Sequence, residues 1–164
     1  MKDRFNELYD EISGEPQISY ERIQRVMREI RTLGDISDDL LEAINEQFDG
    51  KNWGALFRLI GIIHYSPSKK FTRILCEILD NHKEQGIAEN VVDALFSIED
   101  ESSILALTRS LDYYEPGDDD RHLNRKIIDT LLKIGTPDAT ASIKLALNND
   151  DPIIREAAQA ALDT

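Results

Sequence analysis

His64, Cys76, His82 and His122 supply all the imidazole and thiol donors in this 164-residue sequence. Their spacing offers no His-x-x-x-His or Cys-x-x-Cys pair, so a zinc site is not indicated. Cys76 sits in an apolar stripe with Ile74, Leu75 and Ile78, the setting of a packed thiol rather than a reactive one. The eight glycines are scattered, so no loop is built to cradle phosphate, and Gly-x-Ser-x-Gly is absent. Carboxylates are so abundant that no single pair stands out as general acid and base. The expectation is a protein with no catalytic centre, no metal and no cofactor.

Charge says more. The chain carries 32 acidic and 19 basic side chains, a net charge of −13. Such a surface repels phosphate, which argues against nucleic acid, and it speeds encounter with a basic protein. Residues 1–36 hold 6 basic and 8 acidic side chains, whereas residues 37–164 hold 13 and 24, so the acidity belongs to the latter. Arg22, Arg25, Arg28 and Arg31 form a basic stripe that drifts round one helix. Its simplest reading is a solvated face paired with nearby glutamates.

The segment from Asp112 to Asp120 is the most distinctive. Asp112, Tyr113, Tyr114, Glu115, Asp118, Asp119 and Asp120 surround a Pro116-Gly117 turn. Tyrosine offers contact area at low entropic cost, and carboxylates pair with a partner's Arg or Lys. The plainer alternative is a solvated insertion whose tyrosines fold back onto the core. Consecutive acids lack the alternating ligand spacing of a calcium loop.

The elements that must carry these residues are helices. Apolar residues recur at three and four throughout, and no segment alternates with period two. Phe5, Leu8 and Ile12 mark a first helix, stopped by Ser13-Gly14-Glu15-Pro16. Ser19 caps a second, with Ile23, Val26, Met27, Ile30 and Leu33 inward. A third starts at Ser37 or Asp38. A fourth runs from about Trp53 to Tyr65 and is apolar nearly all round, which predicts the most buried helix. Further apolar stripes mark a fifth (Phe71 to Leu79) and a sixth (Ile87 to Phe96). A seventh starts at Ser102 or Ser103, and an eighth spans Leu123 to Ile134. The ninth covers Ala139 to Leu147, and the tenth starts at Asp150-Asp151-Pro152. Ten helices joined by short turns predict five antiparallel pairs.

A repeat runs through the later pairs. Val91-Val92-Asp93-Ala94-Leu95-Phe96-Ser97-Ile98 matches Ile127-Ile128-Asp129-Thr130-Leu131-Leu132-Lys133-Ile134 in residue type at every position. Ala157 to Leu162 follows the same pattern with smaller side chains. One helix pair cannot bury its apolar face alone, but stacked pairs bury each other's.

Ile134-Gly135-Thr136-Pro137-Asp138-Ala139 followed by Asp150-Asp151-Pro152-Ile153-Ile154-Arg155-Glu156-Ala157-Ala158-Gln159-Ala160-Ala161-Leu162 resembles a HEAT repeat of the phycobilisome-lyase type. The resemblance is strongest over residues 131–164, extends through 67–130 and is weakest before that. It implies an all-α, right-handed α-α superhelix, a HEAT-like solenoid of about five antiparallel pairs. The whole of 1–164 then forms one domain, with 1–36 an N-terminal capping pair and 37–164 the repeats. In the family, an Asp and an Arg near the start of the second helix bond between neighbouring repeats. Arg155 and Arg125 occupy the Arg position, and Glu89 replaces it one repeat earlier. The second helices line the concave side, which exposes Glu89, Asn90, Asp93, Lys126, Asp129 and Gln159 there.

The resemblance implies a binding scaffold. The expected partner is another protein with a basic surface. Some immunity proteins of bacterial toxin systems are likewise small, acidic and HEAT-like, so the sharpest expectation is one that neutralises a basic toxin. The alternative is an accessory subunit of a lyase or other enzyme complex. A DNA-lesion binder would need a basic face. The polar N-terminus, the lone cysteine and the lack of a long apolar run lead to the expectation of a cytoplasmic protein, off the membrane and monomeric when free.

Overall fold

The computed structural model describes residues 2–13, 19–82, 85–112 and 122–164. Ten α-helices and two short 3-10 turns, with no strand, make up the secondary structure of the described residues. None of these helices is long and apolar enough to cross a membrane. The helices gather into two compact units, Met1–Phe71 and Thr72–Thr164.

The N-terminal unit holds α1 (Lys2–Ser13), α2 (Tyr20–Ile30), α3 (Ser37–Asp49), α4 (Trp53–Ile63) and a 3-10 turn at Lys69–Phe71. The Ser19 side chain accepts from the Arg22 amide at 3.3 Å, and Asn52 does the same for Ala55 at 3.3 Å. Both satisfy amides that the first helical turn leaves without a partner. α3 starts at Ser37 without a side-chain cap from Ile36; instead Asp35 accepts from the Ser37 amide at 3.0 Å. α1 pairs with α2 and α3 with α4, and α1 also packs on α4. Phe5 and Leu8 of α1, Val26 and Ile30 of α2, and Leu56 and Leu59 of α4 are fully or almost fully buried.

α4 is largely buried, with six of its eleven residues inside. Leu56, Leu59, Ile60 and Ile63 face inward, but Phe57 is 48% exposed. The basic stripe of α2 is a paired face. Arg22 lies 3.7 Å from Glu11, Arg25 bonds Glu11, and Arg25 lies 3.7 Å from Glu29. Arg31 stacks its guanidinium over the Tyr65 ring, 3.4 Å from the centroid.

The C-terminal unit holds α5 (Thr72–Asn81), α6 (Gln85–Ile98), a 3-10 turn at Glu101–Ser103, α7 (Ile104–Ser110), α8 (His122–Ile134), α9 (Pro137–Ala146) and α10 (Pro152–Leu162). α5 pairs with α6, α7 with α8, and α9 with α10. Neighbouring pairs meet like on like: α5 on α7 on α9 in one layer, and α6 on α8 on α10 in the other. Pro137 and Pro152 each open a helix, with Thr136 and Asp151 capping. Proline suits that first position because its missing N–H would have no helical partner there.

The aligned octets behave alike. Val91, Val92, Ala94 and Leu95 are buried, and so are Ile127, Ile128, Thr130 and Leu131. The apolar residues Phe96 and Leu132, expected inward, are 39% and 40% exposed. Their shared outward position shows that the two octets keep one register.

Candidate functional site

The face formed by α6 and α8 collects most of the described residues singled out above. Glu89, Asn90 and Asp93 lie half-buried along α6, and Asp129 is exposed on α8. Gln159, on α10, is also exposed. Lys126 of α8 reaches across to α6. Its ammonium is 2.5 Å from Asp93 Oδ2 and 3.8 Å from Glu89 Oε2. Two turns on, Lys133 bonds Glu99 at 3.0 Å, donates to the Phe96 carbonyl at 3.1 Å and lies 4.0 Å from the Phe96 ring centroid. The outward Phe96 is thus covered by a cation.

These two lysines were the residues that sequence reasoning undervalued. The 36-residue offset sets Lys126 level with Asn90, between Glu89 and Asp93. It sets Lys133 level with Ser97, between Phe96 and Glu99. Both bridges follow from that register, and the predicted acidic face is consequently neutralised in part by the chain itself.

The segment after α7 gives a second locus. Asp112 is exposed and accepts from the Asn149 side-chain amide at 2.6 Å. Tyr113, Tyr114, Glu115, Asp118, Asp119 and Asp120 lie outside the described residues. Across the segment, the buried Asn124 donates from Nδ2 to the Leu111 carbonyl. The matching positions one repeat away are Ala88 and Ile154, both buried and apolar. A polar residue thus occupies a core position where it ties the end of α7 to the first turn of α8.

Among the described residues, Arg155 bonds within its own pair rather than to a neighbouring repeat. It donates to the carbonyls of Asn149 and Asp150, at 2.7 and 2.9 Å. Besides the Lys126 and Lys133 bridges between second helices, links between neighbouring pairs lie near the ends of the first helices. Arg109 bonds Asp80 through both Nε, at 3.2 Å, and Nη2, and Asn149 bonds Asp112. Mid-helix, Thr108 donates to Ser142 at 2.8 Å. The Arg109–Asp80 pair is two-pronged, the geometry that a guanidinium and a carboxylate favour.

Cys76, on α5, is half-buried. Burial, and then the Asp80 carboxylate, push its thiol up to about 11. A thiol held protonated is a poor nucleophile. In the N-terminal unit, Asn6, Tyr9, Asp10, Asp39, Glu42 and Glu46 line much of a cleft of about 380 Å³. Among the described residues no group of three or more His, Cys, Asp or Glu side chains is arranged to hold a metal.

No curated protein matches the chain at a significant level. The family pattern for HEAT repeats matches residues 72–163, more than half of the sequence. That span coincides with the C-terminal compact unit, where helix pairs stack like on like. By that match, the chain belongs to the HEAT-repeat family.

Proposed function

We propose that this protein is a non-catalytic scaffold that binds a basic protein, and that in its sharpest form it is an immunity protein neutralising a basic bacterial toxin. HEAT repeats suggest a protein-interaction scaffold. The observation that carries the finer reading is the distribution of charge. Residues 72–164 hold 19 acidic and 9 basic side chains, a net −10. A field of that sign attracts a cationic surface and repels a phosphate backbone.

Two sets of residues in the repeat unit are the candidates for that contact. One is the α6–α8 face with Glu89, Asn90, Asp93 and Asp129. The other is the segment holding Asp112, Tyr113, Tyr114, Glu115, Asp118, Asp119 and Asp120, which combines aromatic area with carboxylates.

The test is a binding titration between the full chain and the product of the adjacent gene. A complex whose affinity falls steeply with salt, and falls again when Asp118, Asp119 and Asp120 are changed to Lys, supports the reading. Absence of a complex at physiological salt, or one indifferent to that charge reversal, counts against it. Loss of the toxin's activity on mixing would separate an immunity protein from a scaffold of another kind.

A further inference from the structure

The connection between α7 and α8 is the longest within the three pairs of Thr72–Thr164. Residues 111–121 separate these helices, against 82–84 between α5 and α6 and 147–151 between α9 and α10. A longer connection costs more entropy to hold closed. α7 is also the shortest helix of the unit, with 7 residues against 10 in α5 and 10 in α9. Asn124, in the first turn of α8, bridges this junction by donating from Nδ2 to the Leu111 carbonyl.

That bridge is only half satisfied. Asn124 is 1% exposed, and its buried Oδ1 meets no hydrogen-bond donor among the described residues. Turning the amide over does not help, because Oδ1 would then face the Leu111 carbonyl oxygen. A hydrogen bond inside a protein replaces one to water and gains little net, whereas a buried acceptor without a donor forfeits its hydration. The polar part of the closed junction is therefore close to balance or unfavourable. Leu111 and Leu123, both buried beside it, keep the closed form in the majority. At the equivalent positions, Ala88 and Ile154 strand no polar atom.

We propose that Asn124 makes the α7–α8 junction a latch, held shut through Leu111 and opened locally when Oδ1 gains water. The opening involves the first turn of α8 and the end of α7. It stops there because Ile127, Ile128 and Leu131, further along α8, are buried and apolar. The repeat unit thus has one point where the two members of a pair part while the layers stay packed. The latch does not depend on which partner the protein binds.

The experiment is native-state hydrogen exchange of the full chain, read at single amides. Ile127 and Ile128 bond back to the first turn of α8, and Val91 and Val92 are their counterparts in α6. Ile127 and Ile128 are expected to exchange about tenfold faster, after correction for sequence, the effect of one stranded acceptor. That rate should not change in low urea, because a local opening exposes little surface. Asn124→Leu removes the bond and the stranded acceptor at similar volume. It is expected to slow Ile127 and Ile128 about tenfold and to leave Val91 and Val92 within about twofold. The melting temperature should rise by about 3 °C.

Equal exchange in the two octets overturns the latch. So does a rate at Ile127 and Ile128 that climbs with urea in step with global unfolding. Faster exchange or a lower melting temperature in Asn124→Leu also overturns it, because the bond to Leu111 would then be a net stabiliser. The comparison of the two octets in the wild-type chain decides the matter if Asn124→Leu does not fold.

Discussion

In Thr72–Thr164 every helix meets its counterpart in the next pair, first on first and second on second. In Met1–Phe71 the main packing between the two pairs is α1 on α4, a first helix on a second. The charge differs too. Residues 1–71 hold 13 acidic and 10 basic side chains, close to balance, against 19 and 9 in residues 72–164. Bonds follow the packing. In the C-terminal unit they link equivalent elements of successive pairs, as in Arg109–Asp80 and Lys126–Asp93. In the N-terminal unit Arg25–Glu11 and Arg4–Glu29 tie the two members of one pair together. Like-on-like stacking needs the same register in each pair, and that register is what a repeat pattern detects. A unit built on the other contact folds from similar amphipathic helices without showing the pattern.

Core truncations test this contrast most strongly. Leu131 in α8 and Leu59 in α4 are both fully buried. α8 is walled by α6, α7, α9 and α10, which limits how far a cavity can relax. Leu131→Ala is expected to cost about 4 kcal/mol and Leu59→Ala about 3 kcal/mol in urea unfolding. Equal or reversed losses would break the contrast.

Cys76 probes how tightly the first-helix layer of the C-terminal unit closes. Its thiol is raised from 9.0 to about 11, so below pH 9 alkylation should run about a hundredfold slower than for an unfolded cysteine. The linked stability is present below 9.0 and is lost as pH climbs toward 11. Fast alkylation at neutral pH would show that α5 opens readily.

Helix caps give a smaller difference. Asp100 accepts from Ser102 at 3.2 Å and also from the hydroxyl of buried Thr72 at 2.9 Å, whereas Asn52 caps Ala55 alone among the amides. Asp100→Ala should cost about 2 kcal/mol and Asn52→Ala about 1 kcal/mol, read from shifts in melting temperature. The smallest effects belong to exposed ion pairs. Arg25→Ala and Lys126→Met should each change stability by less than about 1 kcal/mol, and less again at high salt.

Much of the fold was legible in the sequence because helices advertise themselves by period. All ten were located, with ends displaced by a residue or two where a 3-10 turn or a proline starts the helix. The twinned octets at 91–98 and 127–134 identified the stacking. What remained hidden depends on which face of a helix finds a neighbour. Phe57, Phe96 and Leu132 read as core by hydropathy, yet they are 48%, 39% and 40% exposed. Glu89 and Asp93 were legible as an acidic pair, but their neutralisation needed the register of α8 against α6. Asn124 was invisible as a tether because its role lies in one backbone carbonyl, Leu111, thirteen residues away.

The turn that follows each of these second helices holds one more lesson. Gly135 stands 36 residues after Glu99, and both adopt left-handed backbone, with φ of 67° and 56°. Each amide donates to the carbonyl four residues back, Leu131 for one and Leu95 for the other. Glycine takes this conformation freely, while glutamate takes it at a steric cost of about 1–2 kcal/mol. Letter by letter the two positions disagree, but as dihedral angles they are one word spelled twice. The repeat in this chain is therefore a score for the backbone, and alignments that compare only side chains will undercount its copies.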